Sequence, residues 1–242
     1  MTDRLNIHQL PFNFAHQPFM SKEDFIVSPC NAEAFKMMEM WPDWPVFGLC
    51  IYGPEHCGKT HLANIFAQNV AIKTNFPYPI PYLDAADINM DMAPKLFELN
   101  RCLVVENLCE NINEEALFHL FNWYRDEGGF ILFTSHIAPA RLNIKLRDLS
   151  SRLRMLPAIA IDEPDDELLS SLIIKLFNDR QILISPEVVN YILLNMHRSF
   201  DYAHKLVEEI DNISLSYKRA VSIPIVKEAI QSLEQKHQRE LF

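Results

Sequence analysis

Gly53-Pro54-Glu55-His56-Cys57-Gly58-Lys59-Thr60 is the stretch that decides the fold. It fits the spacing G-x-x-x-x-G-K-[ST], a loop whose backbone N–H groups surround phosphate. The chain has only five glycines, and two of them stand at the fixed positions of this pattern. Upstream, Phe47-Gly48-Leu49-Cys50-Ile51-Tyr52 reads as a buried strand. Downstream, Leu62, Ile65, Phe66 and Val70 recur at helical spacing. Strand, glycine turn and helix start form the context the motif requires. The helix N-terminus and the loop N–H groups favour an anion. Lys59 is expected to reach the β- and γ-phosphates, and the Thr60 hydroxyl to hold Mg²⁺.

Working outward, the flanking segments alternate. Asn31 to Met40 reads as a helix stopped by Trp41-Pro42-Asp43-Trp44-Pro45. Pro77, Pro79 and Pro81 mark a loop before a short strand at Tyr82-Leu83. Cys102-Leu103-Val104-Val105 is a continuous apolar run, as in a strand buried on both faces. A helix is predicted from Glu114 to Glu127, with Asn111 and Glu114 as its capping pair and Gly128-Gly129 as its stop. Phe130-Ile131-Leu132-Phe133-Thr134 is a further buried strand. This alternation predicts an α/β fold, a parallel sheet with flanking helices.

The pattern changes near Asp162-Glu163-Pro164. Beyond it the spacing predicts only helices, at about 165–179, 186–196, 200–218 and 224–236, with Ser185-Pro186 opening the second. The expected organisation is an N-terminal arm over 1–24, a nucleotide-binding α/β domain over 25–163, and a small all-helical lid domain over 164–242.

Composition narrows the function. The 242 residues are 49% hydrophobic, enough for a sizeable core, and carry a net charge of −10. That charge disfavours an extensive direct DNA surface, although Arg141, Lys145, Arg147, Arg152 and Arg154 leave room for a local basic patch. No apolar run approaches the ~20 residues needed to span a membrane, and no signal peptide is read at the N-terminus. The five cysteines include no C-x-x-C pair, which fits reduced thiols in a cytoplasmic protein.

A nucleotide-hydrolysing site also needs an acidic strand end for the metal. Leu103-Val104-Val105 ends in Glu106-Asn107. Glu106 fits the metal-side carboxylate. Asn107 stands where a glutamate often activates water, and an amide cannot take up that proton, so hydrolysis by this chain alone is expected to be slow. Ser135-His136 ends the next strand, where His136 either orients water or is a solvated loop histidine. Arg152 lies in Leu149-Ser150-Ser151-Arg152-Leu153-Arg154, after the core strands. It is either a solvated helix residue or an arginine that enters a neighbouring subunit's site. Arg198 opens a helix past the domain junction and either contacts phosphate or serves as an ordinary residue near a cap.

In this order the pieces resemble the AAA+ P-loop NTPases, specifically the bacterial DnaA initiator family, over most of the chain. Phe25-Ile26-Val27 with Asn31-Ala32 looks like the family's entry to the adenine pocket. Gly58-Lys59-Thr60-His61-Leu62 is similar to its P-loop. Ser150-Ser151-Arg152-Leu153 is similar to its arginine-finger segment, and Arg198 falls at its second sensor position. Within the family the closer likeness is to the regulatory inactivators of DnaA. The chain stops after the lid, without the initiators' DNA-reading domain. Residues 162–242 carry nine Lys/Arg against fourteen Asp/Glu. The arm contains Gln9-Leu10-Pro11-Phe12-Asn13-Phe14, which looks like a peptide that docks on the DNA sliding clamp. Gln9 would be its directional hydrogen bonder, and Leu10, Phe12 and Phe14 its apolar anchors. Asn107 and His136 depart from the family's usual acidic residues.

The resemblance implies ADP or ATP with Mg as cofactors. It implies DnaA and the sliding clamp as partners, with DNA met mainly through the clamp and a homodimer left open. The function it implies is regulation of replication initiation: binding clamp and nucleotide, and stimulating hydrolysis of DnaA-bound ATP through Arg152. The rival readings are a helicase-loader ATPase and a nucleotide-independent clamp-binding adaptor. A metabolic P-loop kinase would leave the helical lid and Arg152 without a role.

Overall fold

The computed structural model describes residues 20–74 and 79–240. Residues 9–14, the expected clamp peptide, lie outside the described residues. Met20 and Ser21 already touch the α/β domain: the Ser21 carbonyl lies 2.7 Å from His61 Nε2, and Asn64 Nδ2 is 3.1 Å from the Met20 sulfur.

Five strands form one parallel sheet in the order β2-β3-β4-β1-β5. They are β1 (Gly48–Tyr52), β2 (Tyr82–Asp84), β3 (Cys102–Leu108), β4 (Phe130–Ser135) and β5 (Ala158–Ala160). The interior strands β1, β3 and β4 are the continuous apolar runs of the sequence, because both sheet faces are covered. Helices α1 (Ala32–Met40) and α2 (Lys59–Lys73) cover one face. There Trp44 stacks on Phe66 at 4.9 Å and Trp41 meets Phe66 edge-on. Helices α3 (Met92–Leu99), α4 (Glu114–Asp126) and α5 (Arg147–Met155) build the core on the other face.

Helices α6 (Asp166–Asp179), α7 (Pro186–Asn195), α8 (Phe200–Tyr217) and α9 (Ile223–Glu240) follow and enclose a core of their own. Asp165 and Ser199 cap α6 and α8 by accepting from Leu168 N and Tyr202 N. Leu168 and Phe200, at the starts of these helices, are each 4% exposed and belong to the α1/α2 core. The lid is thus seated on the α/β domain through its first turns.

One expected cap is corrected. Helix α4 begins at Glu114, so its N-cap is Asn113, whose Oδ1 accepts from Ala116 N at 3.1 Å, and not Asn111. Glu114 is then too early in the helix to reach back in a capping box. Its carboxylate instead accepts from Lys145 N and Leu146 N at 3.0 and 2.6 Å, tying the entry of α5 to α4. Three elements were not predicted: α3, α5 as a bounded helix, and the three-residue β5. The end of α4 is as expected, with Gly128 at φ +71°.

Candidate functional site

The C-terminal ends of β1, β3 and β4 open into a cleft of about 740 Å³ between the sheet and the lid. Its floor is the glycine turn. Gly53 lies so close to β5 that a Cβ there would meet the Ile161 carbonyl at 2.7 Å. Gly58 sits at φ +96° as the N-cap of α2, a conformation glycine adopts without strain. No side chain caps α2 and its first turn carries no acid. The helix's positive end therefore faces the cleft open to an anion.

Glu55, His56, Cys57, Gly58, Lys59, Thr60 and His61 line the cleft in sequence. Lys59 is 9% exposed, and its Nζ donates to the carbonyls of Gly53 (2.9 Å) and Pro54 (2.6 Å). The ammonium is thereby held inside the curl of the loop. Cys57 Sγ lies 3.6 Å from it, and burial still pushes this thiol's pKa up, so Cys57 is a packed loop residue. Thr60 Oγ1 donates to Glu106 Oε1 at 2.7 Å. That pairs a hydroxyl with a carboxylate, hard oxygen donors of the kind Mg²⁺ takes.

The other strand ends converge here. The β3–β4 register shifts between Val105 and Leu108, where Glu106 and Asn107 stand. Asn107 has φ +57°, and its amide donates to Asp84 Oδ2 at 2.7 Å. Asn107 and His136 line the cleft. Asp84 was not foreseen as part of the site. The signal was present, since an acid closes the short strand Tyr82-Leu83-Asp84, pairing with Glu106 across the sheet.

Phe25 and Ile26 form the far wall, whereas Val27 is exposed and outside the lining. Asn31 fixes this wall. It is 3% exposed, its Oδ1 accepts from Ser28 N (2.9 Å), and its Nδ2 donates to the Ile26 carbonyl (3.0 Å). Phe25 stacks on Phe35 at 5.6 Å and meets His61 edge-on at 5.1 Å. Burial lowers the pKa of His61, which keeps this ring uncharged at neutral pH.

The lid supplies residues the sequence reading missed. Leu168, Leu172 and Leu176 present one stripe of α6 to the cleft, with Lys175 and Asp179 beside it, and His204 enters from α8. Their four-residue spacing was visible, but every lid helix carries such a stripe. Arg198 is not brought into the cleft in this structure. Its guanidinium pairs with Asp166 Oδ2 at 3.0 Å on the surface, just before the Ser199 cap of α8, and is outside the lining. Arg152 is also outside the lining: its guanidinium lies 5.0 Å from the Phe118 ring centre, over α4.

A glycine turn after β1, which lies between β4 and β5 in the sheet, roofed by a helical lid, is the arrangement of the AAA+ P-loop fold. Comparison with known proteins narrows the class. The family "Hda, lid domain" matches residues 166–230. An uncharacterized protein of Haemophilus influenzae is 25% identical over 74% of this chain and 80% of its own length. The initiator DnaA of Spiroplasma citri is 28% identical over 76% of this chain and 46% of its own length. The chain therefore spans just under half of the DnaA relatives it matches. Domain III of Thermotoga maritima DnaA superposes with a TM-score of 0.73 at 21% identity, over 89% of this chain and 97% of that one. The RuvB motor of the same organism gives 0.66 at 18%, over 88% and 72%. The family match covers the lid region alone, and the solved structures share the fold of the chain as a whole.

Proposed function

We propose that this protein binds an adenine nucleotide in the cleft and regulates replication initiation by acting on DnaA. Support for the nucleotide comes from the buried Lys59, the uncapped α2 terminus and the apolar wall of Phe25 and Ile26. A DnaA from Aquifex aeolicus with the same fold is bound to the ATP analogue AMPPCP. Thr60 and Glu106 would hold Mg²⁺, which supplies charge neutralisation between phosphates. The chain's own residues orient and enclose the nucleotide, and Asn107 offers no carboxylate to take a proton from water.

The observation that carries the regulatory reading is the position of Arg152. It stands on α5 outside this chain's own cleft, with its guanidinium laid on Phe118. An arginine so placed is available to a neighbouring nucleotide site, and such fingers contribute about 10³–10⁵ in rate. DnaA carrying ATP would be that neighbour, and residues 9–14 would dock the complex on the sliding clamp. Single-turnover hydrolysis of DnaA-bound ATP, with clamp-loaded DNA, tests this. Arg152→Ala should lose most of the stimulation while still binding ADP, and Arg154→Ala, on a different helix face, should keep most of it. Full stimulation by Arg152→Ala removes the finger. Absence of stimulation by the wild type favours a nucleotide-independent adaptor or a helicase loader.

A further inference from the structure

At the outer edge of the cleft, the tip of the glycine turn meets the first turn of α8. Glu55, His56 and Asp201 each bring one ligand atom there, all within 4.8 Å of one another. The three come from parts with separate cores, the first two from the nucleotide domain and the third from the lid.

Several local features converge on this point. His56 has φ +60°, a left-handed backbone that strains a non-glycine residue. Its ring crosses to the lid and stacks on His204, with centroids 4.6 Å apart and planes 24° from parallel. Its Nε2 stops 3.6 Å from Asp201 Oδ1, beyond a hydrogen bond. That Oδ1 is shielded from solvent and has no hydrogen-bond partner among the described residues, while Oδ2 of the same carboxylate pairs with Lys205 Nζ at 2.8 Å. A shielded carboxylate oxygen without a donor is costly unless positive charge faces it.

We propose that Glu55, His56 and Asp201 form a site for one divalent cation of the zinc class, fastening the tip of the P-loop to the lid. The donor set selects the ion. One imidazole nitrogen with two carboxylates suits zinc or its borderline neighbours, whereas Mg²⁺ and Ca²⁺ take all-oxygen sets. Tetrahedral zinc places its donors about 3.3 Å apart. The His56–Asp201 separation is close to that already, and Glu55 is exposed and free to turn in. Three protein ligands leave a fourth position open to water or a ligand oxygen. Because the ligands span P-loop and lid, ion binding and occupation of the cleft must influence one another reciprocally. The site itself does not depend on which nucleotide the cleft takes.

The test uses the full chain, stripped with a chelator and dialysed, and titrates Zn²⁺ alone by calorimetry. Wild type should bind one zinc and gain thermal stability. Asp201→Asn and Glu55→Gln should each weaken binding by about ten-fold or more, the scale seen for perturbed metal sites. His204→Phe retains a stacking ring and should leave the affinity within about three-fold, less than 1 kcal/mol at RT ln 3. A millimolar excess of Mg²⁺ or Ca²⁺ should not displace the zinc. Melting each variant without metal separates lost ligation from lost fold, and Glu55, at the exposed turn, is the safer of the two ligand variants. The proposal is overturned if wild type takes up no zinc. It is equally overturned if Asp201→Asn and Glu55→Gln bind zinc as wild type does, which would place the ion elsewhere among the nine histidines and five cysteines.

Discussion

Asn31 offers the sharpest quantitative test of how the cleft is built. Its amide bridges Ser28 N and the Ile26 carbonyl at 2.9 and 3.0 Å, and it is 3% exposed. Asn31→Ala removes both bonds and leaves both backbone groups without that partner. Each bond is worth about 0.5–1.5 kcal/mol net, so the loss should be about 1–3 kcal/mol. In a chain of this size each kcal/mol lowers Tm by about 2–4 °C, giving a fall of about 2–12 °C. The same bonds hold Phe25 and Ile26 against the cleft. Ligand must then order that wall at its own expense, and ADP affinity should fall by up to about ten-fold, 1.4 kcal/mol. Asn31→Asp keeps the acceptor for Ser28 N but sets a carboxylate against the Ile26 carbonyl, so it should recover only part of the loss. The assays are thermal denaturation and ADP calorimetry on the same preparations. If Asn31→Ala melts with the wild type and binds ADP equally well, the wall is held by Phe25–Phe35 packing and the role assigned to Asn31 is wrong.

Lys59→Ala should abolish the thermal shift from adenine nucleotide, which for wild type at a hundred-fold excess over Kd is worth about 2.7 kcal/mol; a full shift in the mutant would move the phosphate site elsewhere. Leu10→Ala with Phe14→Ala should remove retention on immobilised clamp and leave ADP binding intact, since each buried anchor is worth roughly 1.5–3 kcal/mol; unchanged retention dismisses the peptide. The isolated protein should hydrolyse ATP far more slowly than the ~1 s⁻¹ low end of ordinary enzymes, because Asn107 donates to Asp84 and accepts no proton as a base would; steady turnover near that value would identify another base.

What the sequence made legible was set by local rules. The glycine turn, the buried strands and all four lid helices follow from fixed spacing and apolar periodicity, and they stand where those patterns put them. The strand β5 was hidden because Ala158-Ile159-Ala160 is short and two of its three residues are alanine, a weak strand former, whereas β2, of equal length, was set off by Pro77, Pro79 and Pro81. Asn113 was missed because the start of a helix is decided within one residue, and Asn111 and Asn113 look alike in sequence. The lid side of the cleft was missed for a different reason. His204 and Lys175 come near the P-loop only through tertiary packing, and Arg198 was placed by motif position, whereas Asp166, a neighbour in space 32 residues away, holds its guanidinium.

The seating of Leu168 and Phe200 in the α1/α2 core sets how long any occupant of the cleft stays. Both residues belong to the lid, yet both are buried against the body. Lifting the lid far enough to release a molecule exposes them. Fully exposing two such side chains costs about 3–6 kcal/mol. At 1.4 kcal/mol per factor of ten, departure is slowed by about two to four orders of magnitude relative to an open shelf. Retention then depends on this apolar gate as well as on contacts to the bound molecule, and trimming either side chain should shorten residence times whatever the cleft holds.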